Sequence, residues 1–140
     1  MSAAALWPLQ QAVYDRLTAD AGLTALLAEG AAGVFDHVPQ ASAFPYVTIG
    51  EASAVPGELA SKTEPALAQS LTLHVWSRDR GFGETKRILA ALTAALDDAP
   101  LTVAGQTLVA LRFEFAATFL DPDGLTRHGV QRFRAWTQPA

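Results

Sequence analysis

The sequence contains no cysteine. That excludes disulfides, thiolate nucleophiles and cysteine-ligated zinc, and it fits a reducing compartment. Long apolar runs are also missing: nothing approaches the roughly 20 residues needed to span a bilayer. The opening "MSAAALWPLQQAVYDRL" has no basic start and is interrupted by Gln10, so it does not read as a signal peptide. The expectation is a soluble, unexported protein with no membrane partner. Positive charge is short as well, with 10 Lys and Arg against 14 Asp and Glu and a formal net charge of −4. A domain that grips nucleic acid over its whole surface usually carries a basic excess, so only a local patch is left open. What is present is a chain of 140 residues, half of them hydrophobic. It is expected to form a single domain over 1–140 that buries a core without metal or disulfide staples.

Apolar spacing predicts the elements. Leu6, Leu9, Val13 and Leu17 recur at intervals of three and four, the mark of an amphipathic helix, and Pro8 is tolerated in its first turn. A short second helix is read over 23–28, closed by Gly30 and Gly33. Strands are read over 34–38, over 46–51 with Val47 and Ile49 on one face, and over 70–77 with Leu71, Leu73 and Val75 on one face. Between the last two, residues 52–66 read as a long loop rich in small and charged residues. Ile88, Leu92, Ala95 and Leu96 mark a helix from Glu84 to about Asp98, where Pro100 stops it. Asp97 and Asp98 sit at its C-terminal end, the unfavourable end for negative charge, with no local explanation.

The chain closes on a hairpin. Val109, Leu111, Phe113, Phe115 and Phe119 alternate with smaller or polar residues, "DPDG" (121–124) signals a turn, and "RHGVQRFRAWT" runs back. Two registers bring Phe133 onto the phenylalanine face. One sets Phe115 against Phe133, Glu114 against Arg134 and Arg112 against Trp136. The other sets Phe113 against Phe133 and Arg112 against Arg134. Cross-strand charge favours the first. The predicted class is α+β: a mainly antiparallel sheet with helices packed on one face and a long C-terminal hairpin.

Catalytic signatures are thin. Gly81-x-Gly83-x-x-Lys86 between a strand and a helix evokes a phosphate cradle. It lacks both the wider P-loop spacing and the third glycine of a dinucleotide fingerprint, so it reads as a glycine turn. His37, His74 and His128 fall on three different strands with no metal-pair spacing, so no metal or cofactor is expected. A small enzyme built around His74 and Glu51 is the weakest reading; it requires a pocket where His74 meets a carboxylate.

The sheet face away from the helices says more. Alternation puts Tyr46, Thr72, His74, Trp76, Arg112, Glu114, Arg132, Arg134 and Trp136 there. Tryptophan, tyrosine and arginine are the types enriched at protein interfaces. The competing reading is a solvated face with cation–π pairs such as Arg112–Trp136.

The first helix, "LTLHVWSRDRGFGETKRILAALTAAL" and "FLDPDGLTRHGVQRFRAWT" together resemble the tail-terminator or tail-completion family of long-tailed phages, prophages and gene transfer agents. The most telling parts are the strand ending Val75-Trp76-Ser77, the loop with Gly81, and the helix carrying Glu84, Lys86, Ile88 and Leu92. The hairpin return through Phe133, Arg134 and Trp136 adds to them. The resemblance implies a non-catalytic virion or particle protein, in the host cytoplasm during assembly. Its copies would form a ring, usually a hexamer, at the head-proximal end of the tail tube. The tube protein and the head–tail connector would be its partners, and DNA would pass through the lumen without specific binding. A head-to-tail ring needs two different complementary patches per subunit. The candidates are Trp76, Arg78, Arg80, Arg112, Arg132, Arg134 and Trp136 on one side, and Glu58, Lys62 and Glu64 in the long loop on the other. The alternative is a small α+β adaptor using the same face for another partner.

Overall fold

A computed structural model describes residues 3–57 and 66–140. After a single 3-10 turn, helix α1 (Leu6–Ala19) and a one-turn α2 (Ala21–Thr24) lead through a second 3-10 turn (Gly30–Gly33) to strand β1 (Val34–Phe35). Strands β2 (Tyr46–Pro56) and β3 (Leu67–Ser77), helix α3 (Gly83–Leu96), and strands β4 (Gln106–Leu120) and β5 (Arg127–Pro139) follow. The strands form one sheet in the order β1-β2-β3-β5-β4. Only the short β1–β2 pairing is parallel, so the sheet is mainly antiparallel and the class is α+β. Among the described residues no helix is long and apolar enough to cross a membrane.

The core lies between one sheet face and helices α1 and α3. Helix α1 buries Leu9, Ala12, Val13 and Leu17, and α3 buries Ile88, Leu89, Leu92, Ala95 and Leu96. Val47, Ile49, Leu71, Leu73, Val75, Leu111, Phe133 and Ala135 come up from the sheet to meet them. Period-2 alternation supplies the sheet side and 3.6-residue periodicity the helix side. Two polar contacts fix the helices. Arg16 Nε donates to the Ala95 carbonyl at 3.0 Å, tying α1 to the end of α3. Buried Gln131 of β5 donates to the Leu89 carbonyl at 3.1 Å and to Thr93 Oγ1 at 2.9 Å.

The strand–turn–helix around Gly81 is held by a serine. Ser77, fully buried, donates to Glu84 Oε1 at 2.6 Å and accepts the Asp79 N–H at 3.2 Å. One hydroxyl therefore shapes the loop and fixes an acid in the first turn of α3, the favoured end for that charge. Ser77→Ala is expected to cost about 1.5–3 kcal/mol, the range for a buried bond to a charged group, measured as a lower urea midpoint with unchanged m.

Several boundaries differ from the expectation. Strand β2 continues to Pro56 and β3 begins at Leu67, so residues 52–56, read as loop, pair with 67–71. Ala52, Ser53 and Ala54 have weak strand propensity, and pairing with β3 overrides it. The segment read as a strand over 34–38 keeps only Val34–Phe35, and the second helix is one turn over Ala21–Thr24.

The hairpin register is the second of the two weighed, not the favoured one. Phe113 faces Phe133, Arg112 faces Arg134 and Ala110 faces Trp136. Glu114 therefore does not oppose Arg134, nor Arg112 Trp136. The like charges are relieved sideways: Arg134 lies over the Trp136 ring at 5.3 Å, and Arg112 reaches Asp98 at 3.7 Å. Two irregularities explain the slip. The pairing skips Val109 and then Glu114, each an extra residue on β4. Beyond Glu114 the parity is reversed, so Phe115 pairs with Arg132 and Phe119 with His128. Both phenylalanines therefore leave the helix-facing side and lie on the open one, against expectation.

The Asp97–Asp98 pair also finds its explanation. Asp97 Oδ1 accepts the Phe113 N–H and the Asp98 N–H donates to the Leu111 carbonyl, both at 2.8 Å. Asp98 adopts φ 61, a left-handed geometry that aspartate tolerates better than most residues. The end of α3 is thus stitched to the outer edge of β4, satisfying edge groups that would otherwise be exposed for pairing.

Candidate interaction surface on the open sheet face

Opposite the helices, β2, β3, β5 and β4 present two adjoining groups of side chains. The first is an aromatic–histidine row. Tyr46 of β2 stacks on Trp76 of β3 (centroids 6.4 Å apart), and Trp76 stacks on His128 of β5 (3.9 Å). Phe119 of β4 lies against the same histidine at 4.6 Å. Trp76 Nε1 donates to Thr48 Oγ1 at 3.1 Å, which fixes the indole's orientation. Burial raises the Tyr46 phenol above its ordinary value, while the nearby Arg78 charge pulls the other way.

Four titratable groups line up along this row. Glu51 Oε1 lies 2.7 Å from His74 Nε2, His74 Nδ1 lies 2.7 Å from His128 Nε2, and His128 Nδ1 lies 3.2 Å from Asp121 Oδ1. Glu51 is held below the ordinary carboxylate range, first by its own backbone N–H and then by the His74 bond. His128 is pushed down, chiefly by burial and then by the neighbouring His74 charge, with Asp121 opposing. Gly50 makes room for the arrangement, since a Cβ there would lie 2.8 Å from His74 Cδ2.

The second group is cationic. Arg132 lies over Phe115 (5.4 Å) and Arg134 over Trp136, with Arg112 beside them on β4. The cation–π partner of Trp136 is therefore Arg134, not Arg112. At the other end of the face, Arg78 lies over Phe44 at 4.4 Å and donates to Thr126 Oγ1 at 3.3 Å. Arg80 is exposed in the β3–α3 turn. The turn between β4 and β5 is built on Asp123. Its carboxyl accepts the Thr126 N–H, the Thr126 hydroxyl and the Leu125 N–H, which lower it to about 2.

Placement of the sequence candidates is thus mixed. Trp76, Arg112, Arg132, Arg134 and Trp136 share the open face, and Arg78 and Arg80 flank it. Glu58, Lys62 and Glu64 lie outside the described residues. The sequence reading missed that His74 and His128 meet. The parity signal was there, since His128 is even-numbered like Arg132, Arg134 and Trp136 on β5. The adjacency of β3 and β5 was not readable.

His74 does meet a carboxylate, as an enzyme would require, but both its ring nitrogens are engaged and Glu51 is 74% exposed. A groove of about 500 Å³ lies elsewhere, lined by Trp7, Gln11, Tyr14 and Thr102 among others. Among the described residues, no group of three or more His, Asp or Glu is placed to hold a metal ion.

Known proteins agree with the architecture. The family model described as "Tail completion protein gp17" matches residues 11–138. The tail completion protein gp17 of Bacillus phage SPP1 is 34% identical over 96 residues, 65% of this chain. The match spans 66% of that relative's length, just under two thirds. The solved structure of bacteriophage SPP1 gp17 superposes with a TM-score of 0.59 at 29% identity, covering 91% of this chain and 86% of that one. A chain from the virion of a native gene transfer agent particle superposes with a TM-score of 0.88 at 30% identity, covering 98% of this chain and 99% of that one. With the family model matched over almost its whole length, the chain belongs to the tail completion protein gp17 family and is by that membership a structural protein of phage-like tails.

Proposed function

We propose that copies of this chain form a ring, six in number by the family resemblance, at the head-proximal end of a tail tube. The ring ends the tube, meets the head–tail connector and lets DNA pass through its lumen without catalysis. The observation that carries this reading is the open sheet face. It displays Trp76 and Trp136, with Arg132 and Arg134 stacked on aromatic rings and Arg112 beside them, and no helix of the described chain lies over it. Stacked aromatics and arginine are preordered, so little side-chain freedom is lost when a partner covers them. The likeness to a chain of a gene transfer agent virion supports a particle role.

A head-to-tail ring needs a second, complementary patch. The segment between β2 and β3 supplies Glu58 and Glu64 in sequence, the charge that Arg112, Arg132 and Arg134 would meet; Lys62 lies between them. Arg78 and Arg80 are placed to touch the neighbour or the tube. The acidic net charge of −4 suits a lumen that retains few phosphates.

The test is mass measurement of the full chain, alone and with tail tubes, beside an Arg132→Glu/Arg134→Glu variant. The expected result is a ring of about six copies for the parent. The variant should lose it while its thermal midpoint stays within a few degrees, since these cations lie outside the core. Normal ring formation by the reversed-charge variant would remove this face from the contact. A chain that stays monomeric even with tubes would sink the ring.

A further inference from the structure

From the four-membered row on the open face we infer a proton-binding site. His74 and His128 together hold one proton more than two neutral imidazoles, shared between His74 Nδ1 and His128 Nε2. The inference starts from the ends of the row. Ionised carboxylates only accept hydrogen bonds, so Glu51 at 2.7 Å requires a hydrogen on His74 Nε2, and Asp121 at 3.2 Å requires one on His128 Nδ1. If both rings were neutral, those two hydrogens would be all they had. The two inner nitrogens would then be bare lone pairs facing each other at 2.7 Å. If both rings were fully protonated, two N–H groups and two positive charges would collide at the same distance. Only the singly charged pair, with one proton in the gap, makes every contact in the row favourable. The row is then carboxylate, imidazole–imidazolium, carboxylate, with a net charge of −1.

Its surroundings fit that charge. Glu51 comes from β2 and Asp121 from the end of the β4–β5 hairpin, one carboxylate on each side. Trp76 stacks on both imidazoles, and Phe119 lies tilted against His128. Cations and a phenol stand nearby on the described part of the face. Arg132 is turned onto Phe115, Arg78 onto Phe44, and Tyr46 stacks beyond Trp76. The downward push on His128 agrees with a second proton being resisted.

The consequence is an acid edge to stability. Below about 6.5, where free imidazole protonates, the unfolded chain binds more protons than the folded pair, whose His128 is pushed down. Stability therefore falls as pH falls, until the folded pair accepts its second proton. This inference concerns the single chain and stands whether or not the ring forms.

The test is imidazole nitrogen NMR of the full-length labelled chain across pH, with denaturant midpoints at the same pH values. Expected are two outer nitrogens that carry their own hydrogens and two inner nitrogens coupled to a single far-downfield proton. The midpoint should fall as pH drops below about 6.5, with the unfolding constant rising about tenfold for each unit of displaced affinity. Two rings titrating independently, or bare inner nitrogens at neutral pH, would overturn it. Gly50→Ala is the control, because its Cβ would sit 2.9 Å from His74 Nε2 and displace a movable ring. It should erase the shared-proton signal and flatten the pH profile. Retention of both in that variant also counts against the site.

Discussion

Phe133→Ala is expected to lower folding stability by about 3–5 kcal/mol, among the largest losses a single truncation in this chain can give. Phe133 is the largest fully buried side chain, at 1% exposure. It sits on β5 between Leu71 of β3 and Phe113 of β4, with the Phe113 ring edge-on at 6.3 Å. Removing it leaves a void that flanking strands cannot close without breaking ladder bonds. The informative result is a ranking. Phe113 is 42% exposed at the sheet edge and Phe115 is 44% exposed on the open face. Phe113→Ala should therefore cost about 1–2 kcal/mol, scaling with the area it buries, and Phe115→Ala about 1 kcal/mol or less. Chemical denaturation of the three variants reads this directly. In the alternative register Phe115 would be the buried partner of Phe133 and its truncation would be costly, so a steep loss at Phe115 would refute the pairing described here.

The second large effect is of opposite kind and lies four residues away on the same buried row. Gly129→Val is expected to cost about 3 kcal/mol by overpacking. A Cβ at Gly129 would meet Thr85 Cγ2 at 2.8 Å, Val75 Cβ at 3.2 Å and Leu89 Cδ1 at 3.3 Å. Thr85 and Leu89 lie on α3 and Val75 on β3; the two nearest contacts belong to buried β-branched side chains, which are stiff and can yield little. The missing side chain lets α3 settle close to the sheet. Gly129→Ala should cost about 1–3 kcal/mol for the same reason. Because the nearest obstruction is one methyl, Thr85→Ser should restore part of that loss when combined with Gly129→Ala. A double-mutant cycle measures the coupling; strict additivity would show that the helix, not the methyl, is what yields.

The outcome against the sequence divides along physical lines. Periodicity found α1, α3, β3 and the hairpin strands, because each carries one apolar stripe facing one core. It also placed Tyr46, His74, Trp76, Arg132, Arg134 and Trp136 on the open face, since parity within an unbroken strand is reliable. It failed where parity is interrupted or where contacts join distant segments. The skipped residues Val109 and Glu114 leave no mark in composition. The extension of β2 through Ala52–Pro56 is imposed by its partner strand. The roles of Asp97 and Asp98 depend on an edge strand brought beside them by the fold. The histidine row needs β3 and β5 to be neighbours, although helix α3 and β4 separate them along the chain.

The irregularity at Glu114 has one more consequence. Every side chain of β4 beyond it owes its placement to a count of residues, not to its own chemistry. Deleting Glu114 would remove the bulge and leave the later pairs as they are, with Phe115 against Arg132 and Phe119 against His128. Closing the bulge with Glu114 kept would instead move the pairing by one residue. Phe119 would then turn toward the helices, and Thr118 would take its place opposite His128. Substitutions along this stretch edit the exposed surface one position at a time, whereas a one-residue shift of register exchanges the two sides of the whole segment at once.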